Sequence, residues 1–577
     1  MCAIAGVIGR RDGAELVREM TAAQRHRGPD DGGVFVHPGV ALGHRRLAIL
    51  DLSEAGRQPM TSRDGRWTIV FNGEIFNYRE IAAMLGQPFR TGTDTEVLLE
   101  ACAAWGIEKT LERAVGMFAF GLWDALTREL TLARDRMGEK PLVYFRDGQT
   151  LAFASELKAL EPFHGRRLDP AAVDTYLALG YVPAPLAVFR RCHKLPPGHL
   201  LRFCDASLSV TRWWFPEDAP RAQEESRTEF IVALRERLSD AVRLRLHADV
   251  PVALYLSGGV DSSVIAAECV RQGARPEAFT VRFEGDETDV PYARQVAGVL
   301  QLPHHVLEAH AGQTAVDFER LLWHYDEPFA DSSSVACFSL ARAIGGRFKV
   351  ILNGDGGDEA LGGYRHYEHI GAKQALKAAA AAAGLCDGAG AGKTGVYVQS
   401  KAMFRAAYRQ RLLNGHSSGN ALDTLLAASP FRAADSGSAL ARALWTDRHL
   451  SLANGLTYKM DIALGAFGME GRAPFLDHRL LEWTQSLPTE ELVRGSEKKI
   501  LLRAAYAGQL PAEVLNRPKH GFGAPVDRWL RGPLRDLVAE ALPCPLLERE
   551  GQQHWTGQQL WTLLTLSQWA RQWSATW

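Results

Sequence analysis

At 577 residues the chain is longer than one hydrophobic core supports, and about two to four domains are expected. Its 66 basic side chains nearly cancel 67 acidic ones, so bulk charge gives no reason to bind nucleic acid or a membrane surface. Eight cysteines without a Cys-x-x-Cys pair argue against zinc and against a disulfide framework, no apolar run approaches the ~20 residues of a membrane span, and no signal peptide is recognisable, so a cytoplasmic protein is expected.

In chain order, residues 2–8 read as a strand, and Arg27-Gly28-Pro29-Asp30-Asp31-Gly32-Gly33 as turn chemistry. Residues 67–71 form a strand expected to end at Asn72-Gly73, 96–105 a helix, and 117–123 an aromatic-rich strand. The pattern to about residue 205 predicts a sheet-rich α+β domain. Two prolines and several charges over 213–226 mark a boundary, giving domains 2–212 and 226–577. Phe230, Leu234, Leu238 and Val242 then line one stripe of a helix. Strands at 252–256, 278–283 and 350–352 alternate with helices, which predicts βαβ units and a doubly wound parallel sheet. Residues 371–395 collapse to alanine and glycine and read as an inserted surface helix and loop. The remainder is helical by pattern, and its five tryptophans from Trp555 to Trp577 read as a docked helix rather than a ligand box.

The most informative stretch is Leu256-Ser257-Gly258-Gly259-Val260-Asp261-Ser262-Ser263. A buried strand runs into two glycines and then a helix, with Ser262 as the expected cap. Glycines let the backbone approach a ligand, the first helical N–H groups point at it, and the serines add donors, so the turn suits a pyrophosphate. Asp261 adds a carboxylate where a divalent cation can bridge to phosphate oxygens. A ligand-free glycine-rich turn is the bland alternative. The string is neither a P-loop nor a dinucleotide fingerprint, and it resembles the pyrophosphate loop of ATP pyrophosphatases.

Cys2 is the second signal. Removal of Met1 would leave a thiol nucleophile beside a free α-amine able to act as its base. A lone cysteine there means little, but Cys2-Ala3-Ile4-Ala5-Gly6, His26-Arg27-Gly28-Pro29-Asp30, Gly43-His44-Arg45-Arg46-Leu47, Phe71-Asn72-Gly73-Glu74-Ile75 and Gly92-Thr93-Asp94-Thr95-Glu96 follow in that order. Together they resemble the N-terminal-nucleophile glutaminase domain of class II amidotransferases. With the Ser257 loop behind them, residues 2 to about 530 resemble the glutamine-hydrolysing asparagine synthetase family.

The resemblance implies a layered α+β glutaminase followed by an α/β ATP-pyrophosphatase domain with a helical C-terminal extension. It implies Cys2 as nucleophile, Asn72 and the Gly73 N–H as oxyanion hole, and Arg46, Glu74 and Asp94 as glutamine ligands. Taken singly, Arg46 would pass for a surface residue and Asp94 for a helix cap. For ATP it implies Ser257, Gly258, Gly259, Asp261 and Ser262 at the pyrophosphate, and Leu256, Val281 and Gly354 at adenine and ribose. It also implies the Asn353-Gly354-Asp355 loop, with Asp355 needed for adenylate formation, and Lys498 of Ser496-Glu497-Lys498-Lys499 at the phosphates. Asp261 and Asp358 would serve Mg2+ travelling with ATP, and Lys519 is a second phosphate contact or a loop residue. The implied substrates are glutamine, ATP and a carboxylate, with aspartate first. No nucleic acid, membrane or organic cofactor is implied, and a homodimer is compatible. One departure stands out: Asp331-Ser332-Ser333-Ser334 carries no cation before Arg342, although an amino dicarboxylate needs one. An amidotransferase acting on another acid and a non-catalytic regulatory homologue are the rival readings.

Overall fold

A computed structural model describes residues 1–577 apart from 216–225, 286–287, 383–391, 418, 428–436, 520, 522 and 549–554. Most of the expected linker and the centre of the alanine–glycine segment lie outside the described residues.

The N-terminal part is two antiparallel six-stranded sheets packed face to face. In the first, Ala3–Ile8 lies between Thr150–Ala154 and Val40–Arg46, with Asp31–His37 and Cys192–Lys194 at the edges. In the second, Trp67–Ile75 lies between Met60–Thr61 and Gly116–Asp124, and Glu129–Arg134, His199–Cys204 and Ser207–Arg212 follow outward. Ile4, Leu42, Val70, Ala119 and Phe153 fill the space between them. The Phe153 ring fits only because Gly6 and Gly121 face it: a Cβ there would lie 2.2 and 2.7 Å from the ring. Helix Gly13–Ala23 covers the first sheet through Val17 and Met20, and Asp94–Trp105 covers the second through Leu98 and Leu99. The result is the expected layered α+β arrangement.

The expected strand end at Asn72-Gly73 is not observed. The strand continues to Ile75, pairing Asn72 with Ala119 and Gly73 with Phe118. Asn-Gly turn chemistry loses here because the partner strand extends to Gly116 and the Asp94 carboxylate accepts the Ile75 N–H at 2.8 Å. Gly73 is required, since at φ 153° a Cβ would meet the Met117 carbonyl oxygen at 2.1 Å.

The C-terminal part is built on a parallel five-stranded sheet in the order His304–Ala309, Ala278–Phe283, Val252–Tyr255, Val350–Leu352, Glu470–Arg472. The order reverses between Val252–Tyr255 and Val350–Leu352, where doubly wound sheets open a ligand crevice. Helix Arg227–Arg245 begins with a Ser226–Glu229 capping box and buries Phe230, Leu234, Leu238 and Val242 as expected. The Trp-rich tail forms helix Gly557–Gln572, started by a Thr556–Gln559 capping box. Its Trp561 and Trp569 are fully buried in a core that also contains Tyr176 and Phe189 of the first part. The two parts therefore share one core rather than meeting at a wet interface.

Candidate active sites

The first site lies where the Cys2 strand meets the second sheet. A cavity of about 40 Å³ is lined by Cys2, Arg46, Gly73, Glu74, Asp94 and Glu470, among others. Burial pushes the Cys2 thiol above its ordinary pKa, and its Sγ lies 3.9 Å from the Leu47 carbonyl oxygen. Met1 is fully buried beside it, and desolvation lowers its amine to about 5. Asn72 is fully buried, yet neither its amide nitrogen nor its amide oxygen has a protein partner. Such an orphan in a packed interior is costly unless a ligand satisfies it. The Arg46 guanidinium donates to the carbonyls of Ser53, Leu50 and Asp51 at 2.6, 3.2 and 2.5 Å. Gly56 makes room for it, since a Cβ there would lie 2.1 Å from Nη2.

Opposite lies an acidic cluster. Burial and the neighbouring Asp94 push Glu74 well up, and burial raises Asp94 to about 7. Arg472 is fully buried and binds Glu74 at 3.0 Å and Glu470 at 2.8 Å. Glu470 stays ionised against Arg472, while crowding and burial favour the protonated forms of Glu74 and Asp94, a cost that an incoming ammonium group would relieve. Glu470 and Arg472 belong to the last strand of the parallel five-stranded sheet, so the first site is completed by the other half of the chain. Sequence reasoning did not find Glu470, because a short strand of charged residues has no apolar signal.

The second site is a cleft of about 380 Å³ at the reversal point of the parallel sheet. Gly258 turns at φ 69°, and a Cβ there would lie 2.7 Å from the Ala293 nitrogen and the Asp289 oxygen. This tight turn starts the helix at Val260 with Gly259 as its cap, so Ser262 is not the cap expected. Ser262 Oγ instead accepts the Ser257 N–H at 3.2 Å and holds the loop in shape. The Gly354 loop packs directly on it, with its notional Cβ 3.0 Å from Asp261 Cβ.

The Lys499 ammonium pairs with Asp261, and with Asp358 at 2.5 Å. Lys519 pairs with the other Asp358 oxygen at 2.5 Å. Burial favours protonation of Asp358, but the two ammonium groups outweigh it and hold that carboxyl well below its ordinary range, whereas burial leaves Asp261 raised. Lys498 lines the cleft, but its ammonium is paired with Glu368. The lysine between the two acidic loops is thus Lys499, not the expected Lys498. Strand Glu497–Lys498 ends there, and Lys499 takes a left-handed turn at φ 52° that points the two side chains to different partners. Of the residues expected at adenine, Gly354 lines the cleft, while Leu256 and Val281 lie in the buried core.

Lys459 is the residue that sequence reasoning missed. It is buried in the cleft wall on helix Thr457–Gly465, with Nζ 3.9 Å from Asp331. Burial opposes its charge, but Asp331, Cys337 and Asp355 together keep it protonated. Its ammonium is a cation beside residues 331–341, which carry none; a lone lysine amid Tyr458, Met460, Ile462 and Leu464 was its only sequence signal. Burial raises Asp355 against the pull of Lys459.

A small cavity of about 20 Å³ lies between the sites, lined by Glu139, Lys140, Asp355, Asp461 and Gly471, among others. Glu470 lines the first cavity and its chain neighbour Gly471 this one. Arg27 crosses the interface nearby: it donates to the Cys2 carbonyl at 3.1 Å, to Glu156 at 3.1 Å and to Asp461 at 2.7 Å. Among the described residues no group of three or more His, Cys, Asp or Glu side chains forms a metal cage, and no helix is long and apolar enough to cross a membrane.

Comparison with known sequences matches residues 1–214 to the glutamine amidotransferase domain and residues 233–575 to the asparagine synthase family. The chain is 30% identical to asparagine synthetase [glutamine-hydrolyzing] 1 of Bacillus subtilis, over 93% of this chain and 89% of that one. It is 31% identical to a putative asparagine synthetase [glutamine-hydrolyzing] of Mycobacterium tuberculosis, over 90% and 85%. It is also 28% identical to the amidase chyE of Penicillium rubens, over 92% and 88%.

Proposed function

Because the chain belongs to the asparagine synthase family, with a glutamine amidotransferase domain ahead of the synthase part, we propose how its residues divide the glutamine-hydrolysing, ATP-driven amidation of a carboxylate. The two activities separate at residues 2–212 and 226–577. In the first, the Cys2 thiolate attacks the side-chain amide carbon of glutamine. The C–N bond breaks, ammonia leaves, and water hydrolyses the thioester to glutamate. Asn72 and the Gly73 N–H hold the oxyanion, Arg46 the substrate carboxylate, and Glu74 with Asp94 its α-ammonium. The unpartnered Asn72 amide supports the first role, and the crowding of Glu74 and Asp94, which a bound ammonium group would relieve, supports the last.

In the second part, an oxygen of the acceptor carboxylate attacks the α-phosphorus of ATP and pyrophosphate leaves. Ammonia then attacks the acyl carbon and AMP departs. The Ser257–Ser262 turn and Asn353-Gly354 cradle the nucleotide, while Lys499 and Lys519 neutralise the leaving pyrophosphate. Magnesium, which commonly takes one or two carboxylates and completes its shell with phosphate oxygens, would sit at Asp261 and Asp358 and screen charge on the phosphates. Two carboxylates without a full protein cage fit that habit. Lys459 holds the acceptor carboxylate, and aspartate is the first acceptor. Asp355 receives the proton that ammonia sheds, since it lines both the cleft and the intervening cavity. Ammonia crosses that cavity unprotonated. The seven described cysteines are all free thiols, which supports a reducing, cytoplasmic setting.

The observation that carries this reading is a single strand, Glu470–Arg472, whose Glu470 lines the first cavity and whose Gly471 lines the cavity that leads on to the ATP cleft. Glutamine labelled with ¹⁵N in the side-chain amide, supplied together with unlabelled ammonium, tests it. Retention of ¹⁵N in the product supports direct passage, and dilution to the bulk ratio refutes it.

A further inference from the structure

A second compartment opens beside the ATP cleft and has no part in the chemistry above. It has a volume of about 320 Å³ and shares Asp331, Tyr364 and Leu456 with the cleft. At ~30 Å³ for each water-sized group, it holds roughly ten heavy atoms. The cleft itself must already take ATP and the reacting carboxylate.

The walls of the compartment are built for a ligand with two characters. Tyr181, Phe329, Met403 and Leu456 make it apolar next to the cleft. At its far side stands Asp447, which accepts hydrogen bonds from Tyr367 at 2.9 Å and Tyr397 at 2.7 Å. The same carboxylate meets His366 at 2.8 Å and the Lys401 ammonium at 2.9 Å. Against the cost of burial, these partners hold Asp447 firmly ionised. Lys401 spends one N–H on Asp447 and one on Tyr397 at 3.1 Å, and an ammonium has three to give. With the side chain 35% exposed, the third is free for a ligand.

The backbone is arranged for this space as well. Residues Asp447–Leu456 form a π-helix, an uncommon conformation that recurs at functional sites. It directs Asp447, Ser451, Gly455 and Leu456 to the compartment. Asn454 donates to the carbonyls of His449 and Leu450 at 3.1 Å each, which braces the turn from its side chain. A Cβ at Gly455 would stand 3.4 Å from the Tyr181 ring, in ordinary contact with it.

We propose that this compartment receives the tail of an extended acceptor, so that the enzyme amidates, besides aspartate, longer acids with an apolar chain and a second anionic group at the far end. The reacting carboxylate stays at Lys459, the chain crosses Phe329 and Leu456, and the distal anion meets Lys401. This rests on the amidation reading and names a substrate class for it.

The test is ATP–pyrophosphate exchange by the full-length protein with aspartate and with the dicarboxylates glutarate, adipate, pimelate and suberate. The expected result is a kcat/KM that rises with chain length to a maximum beyond glutarate. Lys401→Met should lower the ratio of that best diacid to aspartate by about tenfold to a hundredfold, the worth of a charge-assisted hydrogen bond, and Lys401→Arg should restore it. Met403→Trp, which fills the apolar middle, should lower the same ratio by a route independent of charge. Exchange with aspartate but no gain along the series, or a ratio that neither variant moves, overturns the compartment and leaves the amidation reading standing. Exchange with no acid at all overturns both.

Discussion

Two adjacent lysines give opposite expectations. Lys499→Ala removes the ammonium shared by Asp261 and Asp358. One consequence is structural: breaking a buried ion pair costs about 3–5 kcal/mol when the remaining charge has no partner. The cost here falls toward the lower end, because Lys519 still pairs with Asp358 and Asp261 is already displaced toward its protonated form. The other consequence is catalytic. Loss of one preorganised donor at developing charge costs about 10²–10³ in rate, so ATP–pyrophosphate exchange should fall by about that factor. Lys498→Ala breaks only the pair with Glu368, whose side chain is 25% exposed, and pairs of that kind are worth about 0–1 kcal/mol. Its exchange rate should stay within a few-fold of the parent. Glutamine hydrolysis, measured as glutamate release, should be near the parent rate in both variants if the fold holds by circular dichroism. Loss of exchange in Lys498→Ala with survival in Lys499→Ala would refute the assignment of the phosphate lysine.

Other expectations concern the first site. Cys2→Ala, or a form with Met1 blocked in place, should lose glutamine-dependent synthesis yet make the amide from ammonium salt; mass spectrometry of the active protein should show chains that begin at Cys2. Asn72→Ala should lower glutaminase kcat by about 10²–10³ without touching the ammonium-dependent reaction. The pH dependence follows from the raised acids. Asp94 is protonated below about 7 and cannot then attract the α-ammonium, so kcat/KM for glutamine should rise as pH passes upward through that value. Asp94→Asn should flatten that limb, and an unchanged profile would remove Asp94 from the ammonium site.

The parts of the fold legible in the sequence were those whose signal is local. The Ser257 turn announced itself because a buried strand, a left-handed glycine and a helix start follow one another within ten residues. The N-terminal motifs did so through their order. What stayed hidden depends on distant partners. Strand Glu470–Arg472 is charged and becomes buried only because Glu74 comes from the other half of the chain. Strand His304–Ala309 carries His304, His305 and Glu308 at a half-covered sheet edge and lacks apolar alternation. Lys498 and Lys499 cannot be told apart by spacing, since a single left-handed residue decides which ammonium enters the cleft. Lys459 stayed hidden because its partners Asp331 and Asp355 lie more than 100 residues away in the chain. The Asn72-Gly73 pair carried a strong turn signal, and the neighbouring strand overrode it.

The central claim is that the acceptor carboxylate is activated as its adenylate. Aspartate with ¹⁸O in its side-chain carboxylate, incubated with glutamine, Mg2+ and ATP, tests it by mass spectrometry of the nucleotide. The account predicts AMP carrying one ¹⁸O for each amide formed. Label in inorganic phosphate, with ADP as the nucleotide product, would contradict it.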